Sequence, residues 1–248
     1  MKTSWDKVAK WYDEHLKEEG TYHQTVVLPG VLRLLALKQH EAILDVACGQ
    51  GQLVGKLRQA GAKVMGIDTS KELITLAKKH VPGNVTLNID DAKIMKTVAA
   101  GSQDAASIVL ALQNIDDLNP VFKQLSRVLV KGGRAVFVIT HPCFRIPRQS
   151  GWGFDEGRKL QYRRIDSYLT PQKIPIITHP GRGGSPVTWT FHRSLSDYFS
   201  AIVANGFEVN CLEEWTSDKA SDSGPRAKAE NRSRSEIPLF MAVRIIKN

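Results

Sequence analysis

Cysteine is scarce: Cys48, Cys143 and Cys211 are the three in a chain of 248 residues. An odd number, spread this widely, gives neither a disulfide framework nor the Cys-x-x-Cys spacing of structural zinc. A reduced chain without a metal is therefore the expectation. No apolar run reaches the roughly 18 residues that a membrane-spanning helix needs. Residues 1–7 carry no apolar core of the kind a secretory signal has. Together these point to a cytoplasmic protein with no membrane partner. No internal repeat is present. What is abundant is apolar content, at 42%, and positive charge: 34 basic side chains against 25 acidic give a net +9. That charge is concentrated. Residues 144–193 hold Arg145, Arg148, Arg158, Lys159, Arg163, Arg164, Lys173, Arg182 and Arg193 against Asp155, Glu156 and Asp166. A patch of this kind is either a solvated face or a surface that steers anionic partners.

Residues 5–18 and 24–38 read as two amphipathic helices. Apolar strand-like runs then alternate with helical segments. Strands are expected at 42–46, 63–67, 85–89, 105–112 and 134–140, and helices at 52–59 and over the stretch that follows Thr69-Ser70-Lys71-Glu72, which reads as a capping box. A further helix starts at Asp117 and Pro120, with Leu118, Phe122, Leu125 and Leu129 on one face. Lys131-Gly132-Gly133 is expected to stop it. Such alternation predicts a parallel, doubly wound α/β sheet, whose ligands sit beyond the carboxyl ends of the strands. Residues 144–186 break the pattern with Gly, Pro, Arg and aromatics. Short strands at 161–168 and 187–193 would make 144–193 a lid inserted after strand five. A helix at 195–204 and strands at 206–212 and 237–246 follow, with a mobile polar loop expected over 216–235. The chain is thus expected to be one domain: a helical cover (1–40), a ligand-binding core (41–143), the lid (144–193) and a C-terminal part (194–248).

Residues 43–51, Ile43-Leu44-Asp45-Val46-Ala47-Cys48-Gly49-Gln50-Gly51, are the most informative stretch. A strand ends on a carboxylate, and a turn of small residues opens a helix whose first N–H groups are free. The dinucleotide fingerprint fails because Val54 stands where its third glycine belongs. The Walker pattern fails for want of Gly-Lys-Ser/Thr. An acid at the strand end repels phosphate and suits a ligand with an ammonium group and sugar hydroxyls.

Here the chain resembles the class I S-adenosylmethionine-dependent methyltransferases. The resemblance covers residues 5–143 well. Asp45, Ala47, Gly49 and Gly51 match the family's first motif, with Ala47 in place of a glycine. Asp68, in Met65-Gly66-Ile67-Asp68-Thr69-Ser70, matches the acid that holds the ribose hydroxyls. Asp91-Ala92 matches the pair that reads adenine, with Asp90 as a neighbouring alternative. Arg127-Val128-Leu129-Val130-Lys131-Gly132-Gly133 resembles the motif before strand five, with Lys131 replacing proline. The resemblance implies a Rossmann-like, seven-stranded, mostly parallel sheet and S-adenosylmethionine as cofactor, with S-adenosylhomocysteine as product. It implies cofactor contacts from Asp45, Ala47, Gly49, Gly51, Asp68, Thr69, Asp90, Asp91, Ala92 and Leu112.

Methyl transfer to oxygen or nitrogen calls for positioning and, near neutral pH, a base. His141, where strand five leaves the sheet, is the first candidate base, and His192 the second. Tyr22, His23, Gln113 and Arg163 are candidate acceptor contacts. Tyr12 is a candidate neighbour of the cofactor's amino-acid end. The basic segment predicts a small-molecule acceptor bearing an anionic group. Two alternatives stay open, an RNA-modifying enzyme and a non-catalytic cofactor-binding protein. A monomer or a homodimer fits equally.

Overall fold

A computed structural model describes residues 5–81, 83–177 and 185–248. Residues 1–4 and Arg182 of the basic segment lie outside these. Seven strands form the main sheet: β1 (Ala42–Val46), β2 (Lys63–Asp68), β3 (Thr86–Ile89), β4 (Gln103–Val109), β5 (Leu129–Thr140), β10 (Phe207–Trp215) and β11 (Phe240–Lys247). Their order is β10-β11-β5-β4-β1-β2-β3. β1 pairs in parallel with β2 and β4, β2 with β3, and β4 with β5. β11 runs antiparallel to both β5 and β10. The chain winds outward from β1 in one direction through β2 and β3 and in the other through β4 and β5. The crevice between the ends of β1 and β4 is where such a sheet takes its ligand.

Strand five shows why its sequence is apolar without alternation. Ala135, Phe137 and Ile139 pack into one core layer. Val136 and Val138 pack into the other. The first layer is closed by α5 (Leu118–Val128) and α6 (Leu195–Ala204). Phe122 of α5 stands edge-on to Phe137 and Phe207, at 6.0 and 6.4 Å. The second is closed by α2 (Leu28–Leu35), α3 (Gln52–Gln59) and α4 (Lys71–His80). A 3₁₀ turn at Asp6–Val8 and α1 (Ala9–Lys17) precede α2, joined to it through a π-helical turn at His23–Val27.

Several expectations are corrected. The cap of α4 is Ser70, whose hydroxyl accepts the Leu73 N–H at 3.2 Å, so Thr69 and Glu72 form no box. Strand four stops at Val109: Leu110 adopts φ 51°, and Leu112–Asn114 is a 3₁₀ turn. Helix α5 ends at Val128, and the chain is already extended at Leu129. Gly132, at φ 71°, therefore bends the first part of β5 and does not cap the helix. Residues 216–235 are no simple loop, since α7 (Ala227–Glu236) forms there and packs on the strand at Leu160–Ile165.

The segment after β5 folds into two hairpins, β6 (Ser150–Asp155) with β7 (Leu160–Ile165), and β8 (Gln172–Ile177) with β9 (Val187–His192). The first leans on α7, where the Arg226 guanidinium lies 4.4 Å from the centre of the Phe154 ring. The second reaches the turn after β4. There Thr190 donates to Asn114 Oδ1 at 3.1 Å, and Arg193 donates to the carbonyls of Ile115 and Asp116 at 2.6 and 2.7 Å. Among the described residues no helix is long and apolar enough to cross a membrane.

Helix α2 is fastened to the far edge of the sheet by close approach. A Cβ on Gly30 would lie 2.4 Å from the Trp215 ring. Beside it Arg33 pairs with Glu213, which also accepts the Trp215 Nε1–H at 2.7 Å. Gly30→Ala is expected to cost about 1–3 kcal/mol through overpacking. Urea unfolding would show this as a lowered midpoint, and an unchanged midpoint would contradict the packing described.

Candidate active site

The turn after β1 is built from three left-handed residues, Ala47, Gly49 and Gly51, at φ 55°, 54° and 84°. The two glycines serve different ends. A Cβ on Gly51, the N-cap of α3, would meet Val81 Cγ2 at 2.9 Å and Ala77 Cβ at 3.2 Å, so this glycine brings α3 against α4. A Cβ on Gly49 would meet only Tyr12, at 3.9 Å, so Gly49 opens onto a cavity. Ala47 holds the same backbone region with a side chain, which for an L-residue costs about 1–2 kcal/mol.

That cavity measures about 620 Å³, within the range of small-molecule sites. Its wall joins the ends of β1, β2, β3 and β4 to the N-terminal cover. Asp45, at the end of β1, is 2% exposed and accepts the Ser107 hydroxyl of β4 at 2.7 Å. Burial pushes its pKa up to about 7, the Ser107 bond opposes the shift and the nearby Asp68 charge adds to it. Asp68, at the end of β2, accepts the Gly49 N–H on Oδ2 at 3.0 Å and the Ser70 N–H on Oδ1 at 2.8 Å. Burial raises its pKa against the pull of those two bonds. Each oxygen keeps a second lone pair for a ligand hydroxyl.

Asp90 and Asp91 divide their work. Asp90 accepts the Thr97 N–H and hydroxyl at 2.7 and 2.6 Å and the Asp91 N–H at 2.8 Å. Burial disfavours its charge, but these bonds prevail and hold it below the ordinary carboxylate range. It organises the loop. Asp91 gives one oxygen to the Lys93 N–H at 2.8 Å and lines the cavity beside Ala92.

The N-terminal cover closes the opposite wall. Asp6 accepts the Ser70 hydroxyl at 2.5 Å, which ties the cover to the β2 turn. Tyr12 stands edge-on to Trp5 at 5.7 Å. Enclosure in the wall, with Asp68 as a second cause, pushes the Tyr12 phenol up to about 12. His23 also lines the cavity, with its Nδ1 buried and without a hydrogen bond among the described residues. Burial lowers its pKa; Gln52 opposes that shift and Lys56 adds to it. Gln50 lines the same wall with a buried Nε2 that has no acceptor among the described residues.

The structure thus brings Asp45, Ala47, Gly49, Asp68, Thr69, Asp90, Asp91, Ala92 and His23 around one cavity. It places the other expected residues elsewhere. Gly51 packs between helices, and Leu112 is buried in the core. His141 accepts the Cys143 N–H on Nδ1 at 3.2 Å and meets Glu214 through Nε2 at 2.6 Å. Both its nitrogens are engaged outside the cavity, so it shapes the turn and has no lone pair for a base. His192 donates from Nε2 to the Tyr168 carbonyl at 2.6 Å. Together with Gln113 it borders a crevice of about 10 Å³, too small for an acceptor. Gln113 donates to the Leu110 carbonyl at 2.9 Å. Tyr22 bonds Ser217 at 2.8 Å, and Arg163 bonds the Phe144 carbonyl at 2.7 Å and Ser150 at 2.8 Å. The sequence reading missed Asp6, Lys93, Asp116 and Phe191, which all line the cavity. Asp6 carries no local signal, because its partner lies 64 residues away. Among the described residues no group of three or more His, Cys, Asp or Glu side chains could hold a metal.

Residues 44–137 match the family described as a methyltransferase domain. A demethylmenaquinone methyltransferase of Chlorobaculum parvum is 32% identical over 143 residues, covering 56% of this chain and 58% of its own length. A ubiquinone biosynthesis O-methyltransferase of Acinetobacter baylyi is 27% identical over 139 residues, covering 52% and 56%. The chain therefore spans a little over half the length of these two curated relatives. A crystal structure of an S-adenosylmethionine-dependent methyltransferase from Mesorhizobium loti shares the fold, with a TM-score of 0.72 at 24% identity over 92% of this chain and 99% of that one.

Asp45 gives the site a pH signature. Its proton is held more tightly in the folded chain, at about 7, than in the unfolded chain, at about 3.9. The stability this proton confers is full below pH ~4 and lost as pH rises to ~7. Asp45→Asn cannot titrate and is expected to remove that decline. The measurement is the denaturation midpoint of both proteins from pH 5 to 8. Parallel profiles would contradict a raised Asp45 pKa.

Proposed function

We propose that this chain, a class I S-adenosylmethionine-dependent methyltransferase in its core, transfers the cofactor's methyl group to an oxygen or nitrogen of a small-molecule acceptor. The observation that carries the reading is the row of carboxylates at successive strand ends around one cavity, with Asp45, Asp68 and Asp91 facing a turn that Gly49 leaves open. The residues fit the cofactor. Asp68 keeps lone pairs for the ribose hydroxyls, and Asp91 with the Ala92 N–H suits adenine. Asp45 and the turn suit the ammonium end, and the unpartnered Gln50 amide is a donor awaiting an acceptor. When bound, S-adenosylmethionine supplies a methyl carbon on a sulfonium, open to in-line attack.

The chain's own contribution is to seat the acceptor, exclude water and take its proton. Leu16, Ile115 and Phe191 give the cavity apolar walls from three elements. His23 takes the role that His141 was expected to fill. It lines the cavity, and burial keeps its ring neutral at neutral pH and able to accept a proton. Its Nδ1 is buried, so Nε2 is the nitrogen assigned to the acceptor in this reading.

The expected anionic group of the acceptor finds little cationic lining in this wall. Its charged residues are mainly acids, Asp6, Asp45, Asp68, Asp90, Asp91 and Asp116, against Lys93 and Lys96. Arg163 is held by the Phe144 carbonyl and Ser150, and Arg164 pairs with Asp166. An uncharged reacting group is the better fit. The quinone names of the two relatives support a quinone-like ring, and the O-methyltransferase name of the Acinetobacter baylyi relative supports an oxygen acceptor.

His23→Gln is expected to lower kcat by ~10²–10⁴-fold on a hydroxylated acceptor, with S-adenosylhomocysteine affinity kept. The check is steady-state kinetics on a panel of phenolic and quinol acceptors, paired with calorimetry of the product cofactor. Unchanged turnover would remove His23 from the reaction. Product-cofactor binding without turnover of any acceptor by the wild-type chain would remove the proposed activity.

A further inference from the structure

Three arginines beyond the end of β5 have no acid. Arg145 donates from Nε to the Pro238 carbonyl at 3.3 Å, and its guanidinium carbon lies 5.1 Å from the centre of the Trp152 ring. Arg163 lies at the same distance from that ring. Arg234, on α7, donates from Nε to Ser221 at 3.2 Å. All three are half-buried, yet none has a carboxylate within 4 Å among the described residues. Three other arginines do pair with an acid: Arg33 with Glu213, Arg164 with Asp166 and Arg226 with Glu156. Glu214, on β10, is taken up by His141 at 2.6 Å.

A guanidinium carries five N–H donors. Both terminal nitrogens of Arg145, both of Arg234 and Nη1 of Arg163 make no bond to protein among the described residues. The three charges also act on one another. Burial lowers the Arg145 pKa to about 10, and Arg163 and Arg234 push it the same way while Tyr22 opposes. Concentrated positive charge with free, forked donors beside an aromatic wall is the arrangement that binds oxyanions. A chain that only needed to pack Trp152 would need neither several cations nor their open donors.

We propose that Arg145, Arg163 and Arg234 form a binding site for an oxyanion, a carboxylate or phosphate group of a small molecule, against the face of Trp152. Tyr22, which faces Arg145 electrostatically, is the backbone neighbour of His23 in the cavity wall. None of the three arginines lines the acidic cavity. It stands on the arginine geometry alone and does not depend on the methyl-transfer reading.

The test uses the full chain and inorganic phosphate at constant ionic strength, with chloride as the balancing anion. Calorimetry of the wild type is expected to show saturable binding at one site. Arg145→Gln with Arg163→Gln is expected to weaken it by about tenfold or more, since two charge-assisted contacts are lost. Lys79→Gln, on the exposed end of α4, is expected to leave it unchanged. An unchanged urea-unfolding midpoint in each variant reports that the fold is intact. Where the double variant fails that control, Arg234→Gln alone decides, with a loss of about threefold or more supporting the site. No saturable phosphate binding to the wild type would overturn the proposal, as would equal affinity in a variant that passes the control.

Discussion

The Asp68 carboxylate is the point on which the other parts of the site depend. One of its oxygens holds the Gly49 N–H of the β1 turn, and the other holds the Ser70 N–H of the β2 turn. Two loops from neighbouring strands are thereby fixed to one buried acid. Ser70 passes the constraint on, because its hydroxyl both caps α4 and donates to Asp6. Through Asp6 the N-terminal cover is anchored over the strand ends, which sets Tyr12 in the cavity wall. Burying a carboxylate costs free energy unless hydrogen bonds offset it. Here the bonds that offset it are the ones that shape the site, so the cost of burial and the geometry of the cavity have one cause.

Charge is sorted in space. The chain as a whole carries +9, but the cavity wall is acidic. The positive charge sits on the hairpins and α7, where arginines stack on Trp152, Phe154 and Phe191 or cap carbonyls. An acidic pocket in a basic protein draws in a cationic cofactor at short range, while the outer surface acts on anions farther out. Net charge alone does not describe the cavity, because Lys93 and Lys96 are the only Lys or Arg side chains in its described lining.

The sheet was legible because its determinants are local. Residues 42–46 and 134–140 are apolar runs bounded by turn residues, and 195–204 follows a hydroxyl that caps it. The acids at strand ends could be placed for the same reason, since a strand has only one carboxyl end. What was illegible depends on partners far along the chain. Helix α7 buries only Ser233 and carries no apolar stripe, so its helical period could not be seen. Thr69 and Ser70 are adjacent hydroxyls, and only the φ, ψ of the folded turn selects Ser70 as the cap. His141 and His23 both flank a turn. Glu214 and the Cys143 N–H consume the first, while the second faces open space, and neither fact is written near either residue.

The central claim is that buried carboxylates at the strand ends, and not a phosphate cradle, define the ligand. The most direct measurement is calorimetric titration of S-adenosylhomocysteine and of NAD into the wild-type chain and Asp68→Ala. The account predicts one S-adenosylhomocysteine site in the wild type, weakened by ~1–3 kcal/mol in the variant, with no binding of NAD to either. Equal S-adenosylhomocysteine affinity in the two proteins, or tighter binding of NAD, would contradict it.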